Sequence, residues 1–378
     1  MRSPAIPEPL IRAVIGAVLG DDIAARPAGD AIPKHLLAPH AERIMRLSER
    51  FTGDAAERLP RYLDEARLDD SYALYYMPIN AAKVATLIGI ARAAGYLTAG
   101  SLRVAELGCG PGGGLVGALT ALEGTALTLT GVDHSESALA LAGRIISAAG
   151  GTFPSIRFNL EGAVPDLKTP QDIFIIANTL NELWRGRDDT IEKRTRLVAG
   201  LAEKHLAPGG VILLLEPALR APSRELVAVR DRLLAGGGWR ILHPCTHHAA
   251  CPFAANSDEW CHDLLSWEIP DIVRQMDDLM GFNKHRLKFS SLVLTRGEPI
   301  SPADRWYVLI DPHEAKGMTD LVACGERGMV RMILSRRSYS EANRPFRKLG
   351  KGDHFTLNLS HEPEKLYRLT PDDTVLVD

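Results

Sequence analysis

Residues 102–112, Leu-Arg-Val-Ala-Glu-Leu-Gly-Cys-Gly-Pro-Gly, constrain this chain more than any other stretch. An apolar run ending in an acid, then three glycines at alternate positions, reads as a strand and a tight loop, with a helix from Leu115 onward. Glycine is required where backbone must adopt positive φ or approach a ligand with no Cβ in the way. A second strand, Leu127–Val132, ends in Asp133, about twenty residues past the loop, and a carboxylate there can accept both hydroxyls of a ribose. A turn with glycines kept for packing would explain the loop alone. It does not explain strand, loop, helix, strand and terminal acid in this order.

The same alternation continues. Ile156–Phe158, Asp172–Ala177, Val211–Leu215 and Leu287–Leu294 read as strands, with helices over Ala138–Ala149, Thr190–His205 and Asp271–Met280 between them. Strands alternating with helices predict a parallel sheet in a doubly wound α/β domain. Before it, residues 8–58 carry helical periodicity. After a polar stretch and the segment Asp70–Asn80, Ala81–Ala94 reads as one more helix ended by Gly95. Beyond about 303, short strands with turns, such as Met329–Leu334 and His354–Asn358, suggest a small β-barrel or sandwich. The expected division is a helical cap over 1–99, an α/β domain over 100–300 with a cysteine-bearing insertion at 240–265, and a small β module over 301–378.

A net charge of −3 over 378 residues gives no global attraction to nucleic acid or membrane. No apolar run is long enough to span a bilayer. Leu10–Leu19 reads as an amphipathic helix instead of a secretory leader, because Arg2 is its only basic leader and Asp21-Asp22 follows. It also lacks the arginine-rich, acid-poor character of a mitochondrial presequence, so a cytoplasmic, bacterial setting is expected ahead of the mitochondrial matrix. Five cysteines in such a chain argue against a disulfide framework or a disulfide-linked partner.

Four of those cysteines lie beyond residue 240. Cys245, Cys251 and Cys261 sit among Pro, His and Asn, and Cys324 comes later. Four thiolates suit a [4Fe–4S] cluster or a structural zinc. No close C-x₂₋₄-C pair favours zinc, though His243, His247, His248 and His262 keep it open. Unrelated buried thiols remain an alternative at this level. Cys109, inside the glycine loop, reads as a small filler.

The acid precedes the loop in an E-x-G-x-G-x-G pattern, which departs from the G-x-G-x-x-G of dinucleotide dehydrogenases. It resembles motif I of class I methyltransferases. That resemblance implies a class I methyltransferase (Rossmann-like) sheet and S-adenosylmethionine held by Glu106, Gly108, Gly110, Gly112, Asp133 and Asn178. After the fourth strand, base amino-methyltransferases carry Asn/Asp-Pro-Pro-Tyr, whereas this chain has Asn178-Thr-Leu-Asn-Glu-Leu-Trp184. Asn178, Asn181 and Glu182 are weak catalytic candidates; the alternative is that Asn181 and Glu182 cap and open the next helix.

Taken in order, Tyr72–Asn80, the Glu106–Gly112 loop, Asn181-Glu-Leu183, Leu215-Glu-Pro217 and the cysteine stretch resemble one family over residues 36–350. It is the methyltransferase-like family of mitochondrial small-ribosomal-subunit assembly proteins and their bacterial relatives. The resemblance implies association with the small ribosomal subunit or its rRNA. It also implies a [4Fe–4S] site at Cys245, Cys251, Cys261 and Cys324, with iron–sulfur ahead of zinc.

Residues 327–351 hold eight Lys/Arg against one acid, Glu341. Arg331, Arg336, Arg337, Arg344, Arg347 and Lys348, with Tyr339 and Phe346 interleaved, read as an RNA footprint with aromatics for stacking. An ordinary solvated face is the plainer alternative. Cys324, just before this region, would let a shared cluster pin an RNA-binding module to the α/β core. Three functions follow. They are a methyltransferase or assembly factor acting on the small subunit, a non-catalytic assembly binder with a structural cofactor, and a small-molecule methyltransferase.

Overall fold

The computed structural model describes residues 4–27, 29–52, 68–255, 259–298, 304–315, 317–358, 360–361 and 365–377. Part of the periodic stretch 8–58 and most of the polar stretch after it fall outside them.

Four helices open the chain: α1 (Glu8–Leu19), α2 (Asp21–Ala24), α3 (Lys34–Thr52) and α4 (Leu68–Ala93). The expected break between the tyrosine–proline segment and a helix from Ala81 is absent. Both belong to α4, with Pro78 inside it. An internal proline forfeits one backbone hydrogen bond, and here burial of almost every side chain from Leu74 to Ala85 offsets the loss. By length and composition α4 could cross a membrane, yet 78% of its most apolar window is buried inside the protein. It is a core helix.

The main sheet is built from β1 (Ser101–Leu107), β2 (Ala126–Asp133), β3 (Ser155–Arg157), β4 (Gln171–Ala177), β5 (Leu206–Pro217), β6 (Trp239–His243), β7 (Asp263–Ser266) and β8 (Arg286–Arg296). The helices among them are α5 (Gly113–Ala121), α6 (Glu136–Ala148), α7 (Thr190–His205), α8 (Arg220–Ala235) and α9 (Asp271–Met280). The strand order is β3-β2-β1-β4-β5-β8-β6, and β7 adds to β8. The first five strands are parallel, while β8 runs antiparallel between β5 and β6. This is the class I methyltransferase sheet; its reversed strand separates it from the dinucleotide-binding order. Residues 240–243, expected to begin the insertion, belong instead to β6 of this sheet.

Side-chain alternation builds two cores. Ile173, Ile175, Val211, Leu213 and Leu215 face the helices α4–α6 and α9, whereas Phe174, Ile176, Ile212 and Leu214 face α7 and α8. The parallel strands all end on one edge, where ligands of open α/β sheets bind.

The second sheet contains β9 (Arg305–Val308), β10 (His313–Ala315), β11 (Met318–Gly325), β12 (Gly328–Ser335), β13 (His354–Asn358), β14 (Leu366–Arg368) and β15 (Thr374–Val377), in the order β14-β12-β11-β9-β13-β15, with β10 on β11. One end of β9 pairs with β13 and the other with β11. β14 lies parallel to β12, and β15 antiparallel to β13. If β14 and β15 are taken as two halves of one strand, this is the Greek-key order of an OB-type barrel. Trp306, Leu321, Met332, Phe346, Phe355 and Tyr367 fill its interior.

Candidate functional site

Glu106 ends β1 and is 2% exposed. Its Oε1 accepts the Gly114 N–H at 2.9 Å and its Oε2 the Leu115 N–H at 3.0 Å, so the acid closes two of the unpaired donors at the start of α5. Burial nevertheless pushes its carboxyl up to about 8, against those two bonds. Gly114 has to be glycine, because a Cβ there would stand 2.5 Å from Glu106 Oε1. Sequence reasoning missed this residue, although the run Gly112-Gly-Gly114 carried the signal.

Gly108, Gly110 and Gly112 all have positive φ, at 67°, 49° and 92°. At Gly108 the close neighbour is the protein itself, since a Cβ would meet Thr179 Oγ1 at 2.3 Å. Asp133 is buried at the end of β2. Its Oδ2 accepts the Gly110 N–H at 2.8 Å and its Oδ1 the Ser135 N–H at 2.9 Å, which ties the glycine loop to the second strand. A carboxylate oxygen has two lone pairs, so Oδ2 can accept one bond more. Cys109 is buried against Gly131, where a Cβ would come 2.9 Å from its Sγ. The Asp133 carboxylate, with a lone pair left on Oδ2 beside the positive-φ loop, fits the ribose of a nucleoside ligand.

On the acceptor side, Asn178 takes the left-handed conformation at φ 54°, which Asn tolerates. Its N–H donates to Leu215 O at 2.7 Å, joining the ends of β4 and β5. Asn181 is buried and donates its N–H to Glu216 Oε1 at 3.4 Å, while Glu182 is exposed. Neither opens a helix: residues 180–186 form turns and α7 starts at Thr190. Arg194 fixes those turns from within α7 by donating to Leu183 O at 3.0 Å. Among the described residues, Asn181 Oδ1 and Glu216 Oε2 are buried without a hydrogen-bond partner, and burial raises Glu216 to about 8.

Cys245, Cys251, Cys261 and Cys324 line one cavity between the two sheets. Its empty volume is about 610 Å³, open solvent at the mouth included. Cys251 is pushed up to about 11 by burial and the charge of Cys245; burial and the other thiols also raise Cys261 and Cys324. A cationic centre among them would relieve that repulsion. Among the described residues no three His, Cys, Asp or Glu are close enough to hold a single metal ion. Three of the four histidines are held by other partners: His243 bonds Asp263 at 3.0 Å, His248 accepts the Ile241 N–H, and His262 meets Lys351 Nζ at 2.6 Å. His247 lies at the thiols, 3.4 Å from Cys324 Sγ. The four thiols share one cavity, which a group bound by all four would require.

Arg230, 2% exposed, organises this loop. It donates Nε to Cys245 Sγ at 3.2 Å, and its terminal nitrogens to Ala249 O at 3.0 Å and His247 O at 2.9 Å. Asp263, which lines the same cavity, is buried and bonded to His243, to Ser291 and, at 2.5 Å, to the Tyr307 hydroxyl of β9. Burial would raise the Asp263 carboxyl, but His243 and these bonds hold it low. Sequence spacing gave no sign of Arg230 or of this network.

All six basic candidates are exposed. Arg331 pairs with Asp320 at 2.7 Å, Arg344 with Glu341 at 3.3 Å and Arg347 with Glu314 at 3.9 Å. Arg336 and Arg337 form a 3₁₀ turn just past β12, next to exposed Tyr339. Phe346 is not available for stacking: it is fully buried in the barrel, edge-on to Phe355.

Several solved structures overlap the chain loosely. Ribosomal protein L11 methylase from Lactobacillus delbrueckii subsp. bulgaricus shares 16% identity, with 57% of this chain and 78% of that one covered and a TM-score of 0.32. A methyltransferase from Pyrococcus furiosus shares 16%, with 52% and 76% covered and a TM-score of 0.33. A candidate class I S-adenosylmethionine-dependent methyltransferase from Listeria monocytogenes shares 14%, with 77% and 88% covered and a TM-score of 0.39. Overlaps this loose bear on no residue and no activity; strand order carries the fold. No curated protein matches the chain. The family described as mitochondrial small ribosomal subunit Rsm22 matches residues 69–356, well over half of the sequence, and the chain belongs to that family.

Proposed function

We propose that this protein binds S-adenosylmethionine, carries an iron–sulfur cluster, and acts on the small ribosomal subunit or its rRNA as a methyltransferase or assembly factor. The observation that carries the reading is the cradle at the sheet edge. There Glu106 and Asp133 fix a loop of three positive-φ glycines, with a bondable carboxylate oxygen at the end of β2. The donor, when bound, supplies an electrophilic methyl group; Glu106, Gly108, Gly110, Gly112, Asp133 and Asn178 would hold it. Cys245, Cys251, Cys261 and Cys324 would hold the cluster. The family description supports the ribosomal partner, and the exposed arginines of the barrel would meet rRNA phosphates.

A second reading, a non-catalytic assembly binder, is favoured by the acceptor side. Asn178 and Asn181 are amides, and Glu182 is exposed, so none is a poised base. Transfer of labelled methyl from the donor to small-subunit rRNA, abolished by Asp133→Ala, is the outcome expected of a methyltransferase. Co-sedimentation with small subunits but no transfer would favour the binder. Failure to co-sediment would remove both and leave a small-molecule methyltransferase. Iron and sulfide content of the anaerobically purified protein tests the cluster separately.

A further inference from the structure

Where the second sheet meets the first, basic groups from three separate segments converge. His262 follows Cys261 and directly precedes β7. Its Nδ1 donates to Trp260 O at 3.2 Å, so the neutral ring leaves Nε2 to accept from Lys351 Nζ at 2.6 Å. Lys351 belongs to the barrel, on the turn that leads into β13. The backbone fixes that turn: the Lys351 N–H donates to Asp311 Oδ1 at 3.2 Å and the Gly352 N–H to Val308 O at 3.0 Å. Gly352 lies against β7, because a Cβ on it would stand 3.8 Å from Leu264 O. Lys288 of β8 is opposite that same Leu264 in the antiparallel pairing of β7 with β8. Lys288 is exposed, while Lys351 and His262 are half-buried.

Both lysines act on His262 through their charge, and Lys288 acts likewise on Lys351. Burial draws Lys351 below its ordinary value, and the like charge of Lys288 adds to the effect. Neither lysine has an ion-pair partner among the described residues. Asp311 and Asp263 oppose the positive charge, but each is engaged. Asp311 pairs at 3.3 Å with Arg286, two residues before Lys288 on β8. Asp263 is buried and bonded to His243, Ser291 and Tyr307. Cations gathered by the fold without counter-ions favour an anion lying across them. The half-buried Trp260 ring stands 6.4 Å from the His262 ring and supplies a flat apolar surface beside them. Phosphates in series with bases that can stack are what a single RNA strand offers. A free phosphate would use the lysines and leave the indole idle.

We propose that Lys288 and Lys351 bind backbone phosphates of a single RNA strand crossing the seam between the sheets, with Trp260 stacking on one of its bases. Lys288 comes from the main sheet and Lys351 from the barrel, so the strand clamps one to the other. This rests on the RNA-binding reading and adds a contact that does not involve Arg336 or Arg337. The test titrates the full chain with a labelled single-stranded oligoribonucleotide at several salt concentrations. Lys288→Gln and Lys351→Gln should each make the logarithmic salt slope shallower by about 0.7, the value for one phosphate contact on a single strand. Lys351→Arg should keep most of the slope, and Trp260→Ala should weaken affinity at an unchanged slope. Lys288 is exposed, so Lys288→Gln decides the matter even if Lys351→Gln or Trp260→Ala disturbs the seam. Unchanged slopes in the folded lysine variants, while wild type binds the oligomer, would overturn this site alone. Displacement of the oligomer by inorganic phosphate, where chloride at equal ionic strength does not displace it, would make the seam a small-anion site and overturn the assignment to RNA. If wild type bound neither the oligomer nor small subunits, the RNA-binding reading would fall and take this site with it.

Discussion

At the scale of single residues, the buried carboxyls near the sheet edge make pH a direct probe. Glu216 ionises near 8 when folded, against an ordinary 4.5. The folded chain therefore keeps a proton that the unfolded chain has released across that window, so this residue's contribution to stability falls as pH rises through it. Glu216→Gln keeps an oxygen for the Asn181 N–H but has no charge to bury. Its urea midpoint should exceed that of wild type most at the top of the window and scarcely at its foot; a pH-independent difference would refute the assignment. The residues legible in the sequence were those whose type alone is restrictive, namely the positive-φ glycines and the acid ending β2. Gly114 and Arg230 were not, because tertiary neighbours distant in sequence give them their meaning.

Among elements, β4 and β5 were readable because central strands, buried on both faces, appear as continuous apolar runs, and β2 because Leu127 and Leu129 alternate with threonines. The continuity of α4 was hidden by Pro78, whose local cost is outweighed by packing that only the fold reveals. Phe346 was misjudged because basic neighbours in sequence point outward while its own ring plugs the barrel. The cysteine loop is the element with least regular structure and depends most on one side chain. Arg230→Met would leave the carbonyls of His247 and Ala249 and the thiol of Cys245 without their shared donor. Removing a buried, paired guanidinium should cost on the order of 3 kcal/mol. Thiol-reagent labelling should show Cys245 and Cys251 reacting sooner than in wild type, with Cys109 still protected. Uniform labelling of all three would mean global unfolding instead.

For the whole molecule, charge on the barrel separates binding from packing. Arg336 and Arg337 have no ion-pair partner among the described residues, whereas Arg331 is paired with Asp320. Replacing Arg336 and Arg337 by Ala should make the salt dependence of rRNA affinity shallower by about 1.5 in logarithmic slope. Arg331→Ala should change it less, and equal effects would count against this face. The barrel is joined to the α/β core through Val322, Cys324 and Met329, which with Tyr307 and Leu309 pack against Cys251 and Phe253. That junction governs the order of biosynthesis. Domains fold as the chain emerges, amino-terminal parts first, yet the cavity gains its fourth thiol only with Cys324 on β11, after the entire main sheet has been made. Until the ribosome has delivered the strand that bears it, the nascent chain holds a three-thiol pocket, so completion of the site reports that β11 has arrived and docked.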